Sequence, residues 1–513
     1  MRKAGGDTMR VIVWSLMVDW SLSGSYVDES QRLVSANGSV RLATPESSIS
    51  SPRGTTDQCS LQLDNHDGRF SALNTAGPLY SYLQLGGAYN APFYLRVSID
   101  GGSSFSRVFT GVVKIPQDVP PTPAAAATVN IDGRSNDEIL LNHRMSTSID
   151  TFRALHDAGS SEHDIMSAWL NQAGVAAGGM SLDPGLVVLP WAWMDDESPI
   201  DDIWNMAAAC GGRFYCDQDG IYRYENMQHW LFSPHNTPRE TIDQSGYEAM
   251  EGPTYDDKEL YSGVTVVAAP RETMPLGPVW SSTDKIVVAP GATTTITAQM
   301  RQPAYTLNSL PYTVVSGGGR NMAGVVNVST LQYAQRCQIT IVNSDPTYAA
   351  EVVSMQLFGL AVNGSPTVQE ARTSTHAFWS SHSGSRPGRT KLIRGNPYVQ
   401  TQGQAALLAN FLRDRYQLPR LGWRLRNVPG DPFRRLGDRV TVGNNQVMSA
   451  TRDGFLTAIT WRVSNKGFIQ DLELLDAGLA SDGTGLFGSS DFFVLGTNTL
   501  GNGGAGSDGQ LFY

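Results

Sequence analysis

Cys59, Leu61 and Leu63 alternate with polar neighbours and run into Asp64-Asn-His-Asp-Gly68, a cluster of short polar side chains and one glycine. Alternation with a period of two puts every second side chain on one face of a strand, so this stretch folds as a half-buried strand. Asx side chains and glycine supply turn conformations at low cost, which ends the strand at Asp64. The same pattern recurs from Ser39 to Ala43, Tyr94 to Asp100, Arg107 to Ile115 and Ala127 to Asp132, with Gly101-Gly102 as a hairpin signal. Together with 52 glycines in 513 residues, this favours strands joined by tight turns over helix bundles.

A chain of this length exceeds one compact core and should divide into about three or four domains. The net charge is −10, from 38 basic and 48 acidic side chains, and no run of five like charges occurs. A duplex-binding surface needs concentrated Lys and Arg to displace counterions, so a nucleic-acid reader is not expected. The four cysteines, Cys59, Cys210, Cys216 and Cys337, are scattered through apolar contexts and read as small buried hydrophobes folded in a reducing cytosol. Cys210 and Cys216 lack a second pair with ligand spacing. The stretch from Arg10 to Val18 reads as a first strand, because its apolar part is short and Asp19 follows at once. No 18-residue apolar run predicts a membrane span.

The pattern changes near Asp150. Ser161 can cap a short helix carrying Ile165, Ala168 and Trp169. Ser198-Pro199-Ile-Asp201 is a stronger start, with a capping hydroxyl, a proline suited to the first helical position and acids at the positive end of the dipole. A hairpin should follow, turning at Asp217-Gln-Asp-Gly220. Evenly spaced strand signals from Gly246 to about Gly388 suggest a β-sandwich, and Ser381 to Arg389 a linker. Thr401 and Gln404 then have capping-box spacing ahead of a helix with Ala405, Leu408, Ala409, Leu412 and Tyr416 on one side. The expected division is residues 1–149 and 391–479 as β-barrel domains, the latter with one helix, 150–245 as a helix–hairpin domain, 246–390 as a sandwich, and 480–513 as a Gly-rich extension.

Catalytic signals are weak. Trp191, Trp193, Asp195, Asp196, Glu197, Asp201 and Asp202 contain the ingredients of a glycosidase site. All fit one strand, one turn and one helix start, whereas such enzymes set two carboxylates across a cleft. Helix-start acids and core tryptophans are expected instead. Asp64, Asn65, Asp67 and Gly68 fail calcium-loop spacing, with Thr75 where a bidentate Glu should stand. His156 and His163, seven apart, do not form a metal motif, and Gly317-Gly-Gly-Arg320 reads as a loop. No catalytic residue, cofactor or metal ligand is assigned.

The order of a strand closing on Asp64, Asn65, Asp67, Gly68, Arg69 and Phe70, a Gly77-Pro-Leu-Tyr80 turn and an apolar strand through Leu95 and Val97 resembles the N-terminal part of minor tail proteins of long-tailed bacteriophages. Asn396-Pro397-Tyr-Val, an Ala-rich helix, Pro432-Phe-Arg-Arg-Leu-Gly437-Asp438-Arg-Val and a closing Asp471-Leu-Glu-Leu-Leu475 resemble the last domain of phage tail hub proteins. The resemblance implies a mainly β, multidomain fold with a smaller α+β part, in which two tail-tube-like barrels accompany a β-sandwich. It also implies a structural part of the tail tip and not an enzyme. In that family a homotrimer joins the tail tube or distal tail protein to a central fibre or spike, holds the tape-measure protein and passes DNA as cargo, without stable membrane insertion. The virion tail tip would be its location. The net charge further suggests an acidic or neutral lumen. A second reading is a carbohydrate- or receptor-binding tail protein, with Trp280, Phe378 and Trp379 available to stack on sugars; a third is a wall-degrading tail enzyme.

Overall fold

The Cys59–Leu63 alternation becomes the strand Gln58–Asp64, with Cys59, Leu61 and Leu63 buried and the residues between them turned outward. The computed structural model describes residues 10–42, 56–84, 90–114, 116–119, 127–255, 261–365, 369–373, 389–416, 421–443 and 451–477. Phe378, Trp379, most of the expected linker and the 480–513 extension lie outside them.

Most strands of the two end segments belong to one 14-stranded sheet. Its N-terminal half runs, in spatial order, Leu33–Arg41, Gln58–Asp64, Thr128–Ser135, Ser106–Val113, Ala91–Ser98 and Val13–Val18. Its C-terminal half contains Arg452–Ser464, Gly467–Asp476 and Leu421–Pro429, with Ala249–Tyr255 on the far side. The halves meet where Leu33–Arg41 pairs antiparallel with Arg452–Ser464, from Ser35 opposite Ser464 to Arg41 opposite Ala458. One apolar cluster runs beneath both, from Leu16, Phe93 and Val129 to Leu425, Trp461 and Leu474. The strands of the two end segments are therefore joined in one sheet over a shared core.

Trp461 marks the seam. It is 1% exposed and lies 6.4 Å from Phe109, which in turn stacks on Phe93 at 5.6 Å. Gly38, opposite Trp461 in the ladder, leaves room for the indole: a Cβ there would stand 2.5 Å from its Cζ2.

A second core contains the helices Glu162–Gln172 and Pro199–Ala209, the hairpin Arg213–Cys216 with Tyr222–Glu225, and the helix Gln402–Tyr416. Beneath the last helix lies a sheet of Gln369–Arg372, Gly263–Ala268 and Thr390–Ile393. Ser161 caps its helix as expected, in a capping box with Asp164. Ser198 differs: its hydroxyl donates to Leu140 O at 3.0 Å and makes no cap bond, so a tertiary acceptor wins over the helix end. The Gly77-Pro-Leu-Tyr80 segment also differs, because Pro78 opens the helix Pro78–Gln84 instead of a turn. Leu79 and Tyr82 on that helix are buried in the large core. Ala405, Leu408, Ala409, Leu412 and Tyr416 do share one buried side, but they face Val264 and Val266 and not the C-terminal strands.

The sandwich forms around a third core. The 15-residue strand Ala350–Gly364 anchors a six-stranded sheet, and Thr293–Gln299, Arg336–Asn343 and Val326–Gln332 form the facing layer. Gly263–Ala268, one of the strands expected in the sandwich region, pairs instead with Gln369–Arg372 and Thr390–Ile393 in the second core.

Gly38→Ala should force the new methyl into Trp461 and Gln58 O and destabilise the chain by about 1–3 kcal/mol. Urea unfolding should show part of that loss recovered when Trp461→Phe is added, because the two sites share one contact.

Candidate functional site

The residues singled out from the sequence are built into three different places. Asp64, Asn65, Asp67, Gly68, Arg69 and Phe70 form a braced loop at the end of Gln58–Asp64. Asn65 Oδ1 accepts the Phe70 amide at 2.9 Å, Asp64 Oδ1 accepts the His66 amide at 3.1 Å, and Gly68 takes φ +69°, where a side chain would be strained. Phe70 is thereby delivered into the large core beside Trp20, 5.9 Å away.

Beneath the loop is a charged network that the sequence did not reveal. Glu29, 3% exposed, receives Arg69 Nη2 at 2.8 Å, Arg69 Nε at 3.3 Å and Trp20 Nε1 at 3.2 Å. Arg32 grips Asp67 through two bonds of 2.9 and 2.7 Å, which holds the Asp67 carboxyl well below the usual carboxylate range. Both guanidinium groups lie 5.8 Å from the centre of the Phe70 ring. These side chains serve the loop's shape, and Leu73 at its outer turn is 89% exposed.

Asn396 and Pro397 lead into the second core. Asn396 Oδ1 accepts the Tyr398 amide at 2.9 Å, and its Nδ2 donates to Asn205 O at 2.8 Å. Tyr398 donates to Asp202 Oδ1 at 2.7 Å. Burial raises the Asp202 pKa, and the neighbouring Glu197 and Asp201 charges add to it. Thr401 caps Gln404 N at 3.1 Å as the spacing suggested, while the Gln404 side chain bonds Gln400 N, Tyr398 O and Ala209 O.

Gly437 and Asp438 stand at the entry to Arg439–Val442. Gly437 has φ +80°, and a Cβ would come 3.1 Å from Trp230 Nε1. Asp438 Oδ2 accepts the Arg435 amide at 2.8 Å and pairs with Arg239. Nearby, Arg434, 4% exposed, is held by both Glu240 oxygens at 2.6 and 3.0 Å and by Gln470 Oε1 at 2.7 Å. Trp230 reaches from the helix–hairpin segment into the large core, stacked on Phe455 at 4.4 Å with Arg213 at 3.7 Å from its ring.

The acidic and aromatic cluster is dispersed among structural partners. Trp191 stacks on His156 at 3.7 Å, and Trp193 Nε1 donates to Gln335 Oε1 at 2.8 Å. Asp195 binds Arg336 Nε at 2.6 Å, tying this segment to the sandwich. His163 Nδ1 meets Asp183 O at 2.8 Å. All four cysteines are buried and unpaired, and burial pushes the Cys337 thiol up to about 11. Among the described residues no cluster of His, Cys, Asp and Glu suits a metal ion, and no helix is long and apolar enough to cross a membrane. A crevice of about 490 Å³ in the sandwich is lined by Pro278, Val279, Arg301, Gln302, Ala361, Asn363 and Gly364.

A second pair of buried acids lies where the N-terminal strands meet the hairpin. Ser135 Oγ donates to Asp137 Oδ2 at 3.0 Å and accepts the Asp57 amide at 3.2 Å. Burial pushes Asp137 up to about 7, and burial together with the Asp137 charge raises Asp57 as well.

No protein-family model matches the chain, and no curated protein matches its sequence. Three solved structures similar to it along most of its length are tail proteins or are described by likeness to them. A tail protein from Neisseria meningitidis aligns over 93% of this chain and 98% of its own, at 10% identity and a TM-score of 0.46. The 43 kDa tail protein of prophage MuSo2 from Shewanella oneidensis aligns over 90% and 97%, at 12% identity and a TM-score of 0.43. An Escherichia coli component of the type VI secretion system, described as structurally similar to the T4 bacteriophage tail proteins gp27 and gp5, aligns over 90% and 75%, at 9% identity and a TM-score of 0.36.

Arg69→Ala should leave buried Glu29 with only Trp20 Nε1 at 3.2 Å and the more distant Arg32 Nε at 3.9 Å, and cost roughly 1–3 kcal/mol in urea unfolding. The pH dependence has a definite sign. Asp137 binds its proton more tightly folded than unfolded, so its contribution favours the folded state most at acid pH. Stability should fall as pH rises from about 4, the unfolded value, to about 7, the folded one. Above that interval it should level off. Asp137→Asn should flatten this part of the profile of unfolding midpoint against pH.

Proposed function

We propose that this chain is a structural component of a phage tail tip, a hub-type minor tail protein without catalytic activity. The observation that carries the reading is the ladder between Leu33–Arg41 and Arg452–Ser464, which fixes the two end segments side by side in one sheet. Two β modules held rigidly in one subunit can offer two neighbouring faces to a tube. Three such subunits then present six, which is how a threefold part can meet a sixfold one. The sequence motifs that resemble tail proteins lie in these same modules and in the segment leading into the C-terminal one. In the proposed assembly a homotrimeric ring joins the tail tube to a central fibre or spike, holds the end of the tape-measure protein and opens for DNA.

The carbohydrate-binding alternative draws less support from the geometry. The sandwich crevice has no aromatic ring among its lining residues to stack on a sugar face. Its polar groups, Arg301, Gln302 and Asn363, leave a small polar ligand as the second reading.

Light scattering on the purified full chain should give the mass of three chains, and a reconstruction of the assembly should show a lumen lined by acidic or neutral side chains. A strict monomer at high concentration, in the presence of tail-tube protein, would overturn the hub reading. A pore lined by Arg and Lys would overturn the proposed lumen chemistry.

A further inference from the structure

His229 and His235 face each other across the joint between the helix–hairpin segment and the C-terminal strands, with their Nε2 atoms 3.1 Å apart. Each ring is already committed at its other nitrogen. His235 Nδ1 lies 2.8 Å from Gly437 O, and a carbonyl oxygen can only accept, so that nitrogen carries a hydrogen. His229 Nδ1 lies 2.7 Å from Asp183 Oδ2, an oxygen that also accepts the Asn226 amide at 3.0 Å, so it too donates. Two neutral rings arranged this way would point lone pairs at each other. Two charged rings would point N–H groups at each other. A hydrogen bond at 3.1 Å needs one proton between them.

The surroundings favour that single charge. Burial and Arg213 work against a charged His229, but the Asp183 hydrogen bond and the Glu225 charge outweigh them, and its pKa is raised above the usual imidazole value. Glu225 Oε1 stands 3.5 Å from His229 Nε2 and also accepts from Tyr215 at 2.7 Å. On the other side of the joint, Asp431 and Asp438 are both engaged by Arg239, and Arg439 donates to Asn236 O at 3.0 Å and binds Asp453.

We propose that the His229–His235 pair is a one-proton latch that fastens residues 226–239 to the turn at Gly437 and releases them when the shared proton leaves. What it fastens has consequences for the fold, because Trp230 from this segment inserts into the large core against Phe455. The latch therefore couples the helix–hairpin segment to the C-terminal half of the sheet, and it fails in both directions: above the pH at which the pair loses its proton, and below the pH at which it gains a second.

The sign follows from the raised folded pKa. The latch's contribution is fully present below the unfolded imidazole value and is lost as pH rises through the folded one, and a second proton weakens it again at lower pH. Nitrogen-15 spectra of the histidine-labelled full chain should show His229 titrating above the ordinary imidazole pKa, with the His235 ring signals responding to the same step. Hydrogen exchange, corrected for intrinsic rates, should show amides of 226–239 losing protection by up to about tenfold per pH unit across the upper step. The Leu33–Arg41 strand should not follow. In His235→Phe, which keeps an aromatic ring without a titrating nitrogen, that local pH dependence should shrink to the part that Asp183 and Glu225 alone confer on His229. Independent titration of both rings at the ordinary value, or protection of 226–239 that does not change with pH in the unaltered chain, would overturn the latch. Neither outcome bears on the hub reading, which the mass of the assembly decides.

Discussion

The backbone ladder between Leu33–Arg41 and Arg452–Ser464 is the constraint on which the rest of the molecule depends. It closes a loop of more than four hundred residues, so everything between must return the chain to the same place. Closing so long a loop costs entropy that grows slowly with length, while the ladder and the burial beneath it grow with every paired residue. Trp461 and Gly38 make the register specific, because a slip by one residue would turn the indole to the opposite face of the sheet. The helix–hairpin segment and the sandwich are thereby insertions into a sheet whose first and last parts hold each other.

The local grammar of this fold was legible in the residues, and the long-range pairing was not. Alternation at Cys59–Leu63 and the caps at Ser161 and Thr401 appear where period and chemistry place them, because each depends on neighbours within a few positions. Gly263–Ala268 reads as a strand of the sandwich region, yet it pairs with Thr390–Ile393, since an apolar run states that a strand is buried and not which core buries it. Ser198 had the chemistry of a cap and took Leu140 O instead. Of the candidate residues, the Asx loop at Asp64–Phe70 was readable, but its support from Glu29 and Arg32 was not, because those charges look like ordinary surface residues until the fold buries Glu29.

Protonatable groups gather where the helix–hairpin segment meets its neighbours. Asp57 and Asp137 lie against the N-terminal strands, Asp202 beneath Tyr398, and His229 with His235 at the Gly437 turn. Burial raises the carboxyl pKa values, while charged partners raise that of His229 against its burial. The causes differ but the direction is common: protonated forms are favoured at each joint in the folded chain. Rising pH therefore loosens these attachments together, whereas falling pH strengthens the carboxyl joints and, once a second proton enters the histidine pair, weakens the latch. A segment wedged between two sheet halves and a sandwich is where such coupling has most leverage over the arrangement of modules.

The two ends of the large sheet restrict how copies can associate. At one end Ala249–Tyr255 carries a register shift between Glu251 and Thr254, with Gly252 at φ +97° followed by Pro253. Gly252 is required there because a Cβ would meet Gly422 O at 2.8 Å, and the proline removes a donor from the strand. A bulge, a proline and the charged Glu251 are the devices that discourage another strand from adding to an edge. At the other end, Val13–Val18 is partly covered by Val27–Asp28, and Leu16 is bonded by the Glu29 amide and Ser30 Oγ. The outer side of Ala249–Tyr255 pairs with no strand among the described residues, so the bulge, the proline and the charge protect that edge in place of a partner. With strand addition discouraged at one end and partly blocked at the other, side chains on module faces and loops, such as the braced turn that displays Leu73, are the surfaces left for contacts set by shape and charge.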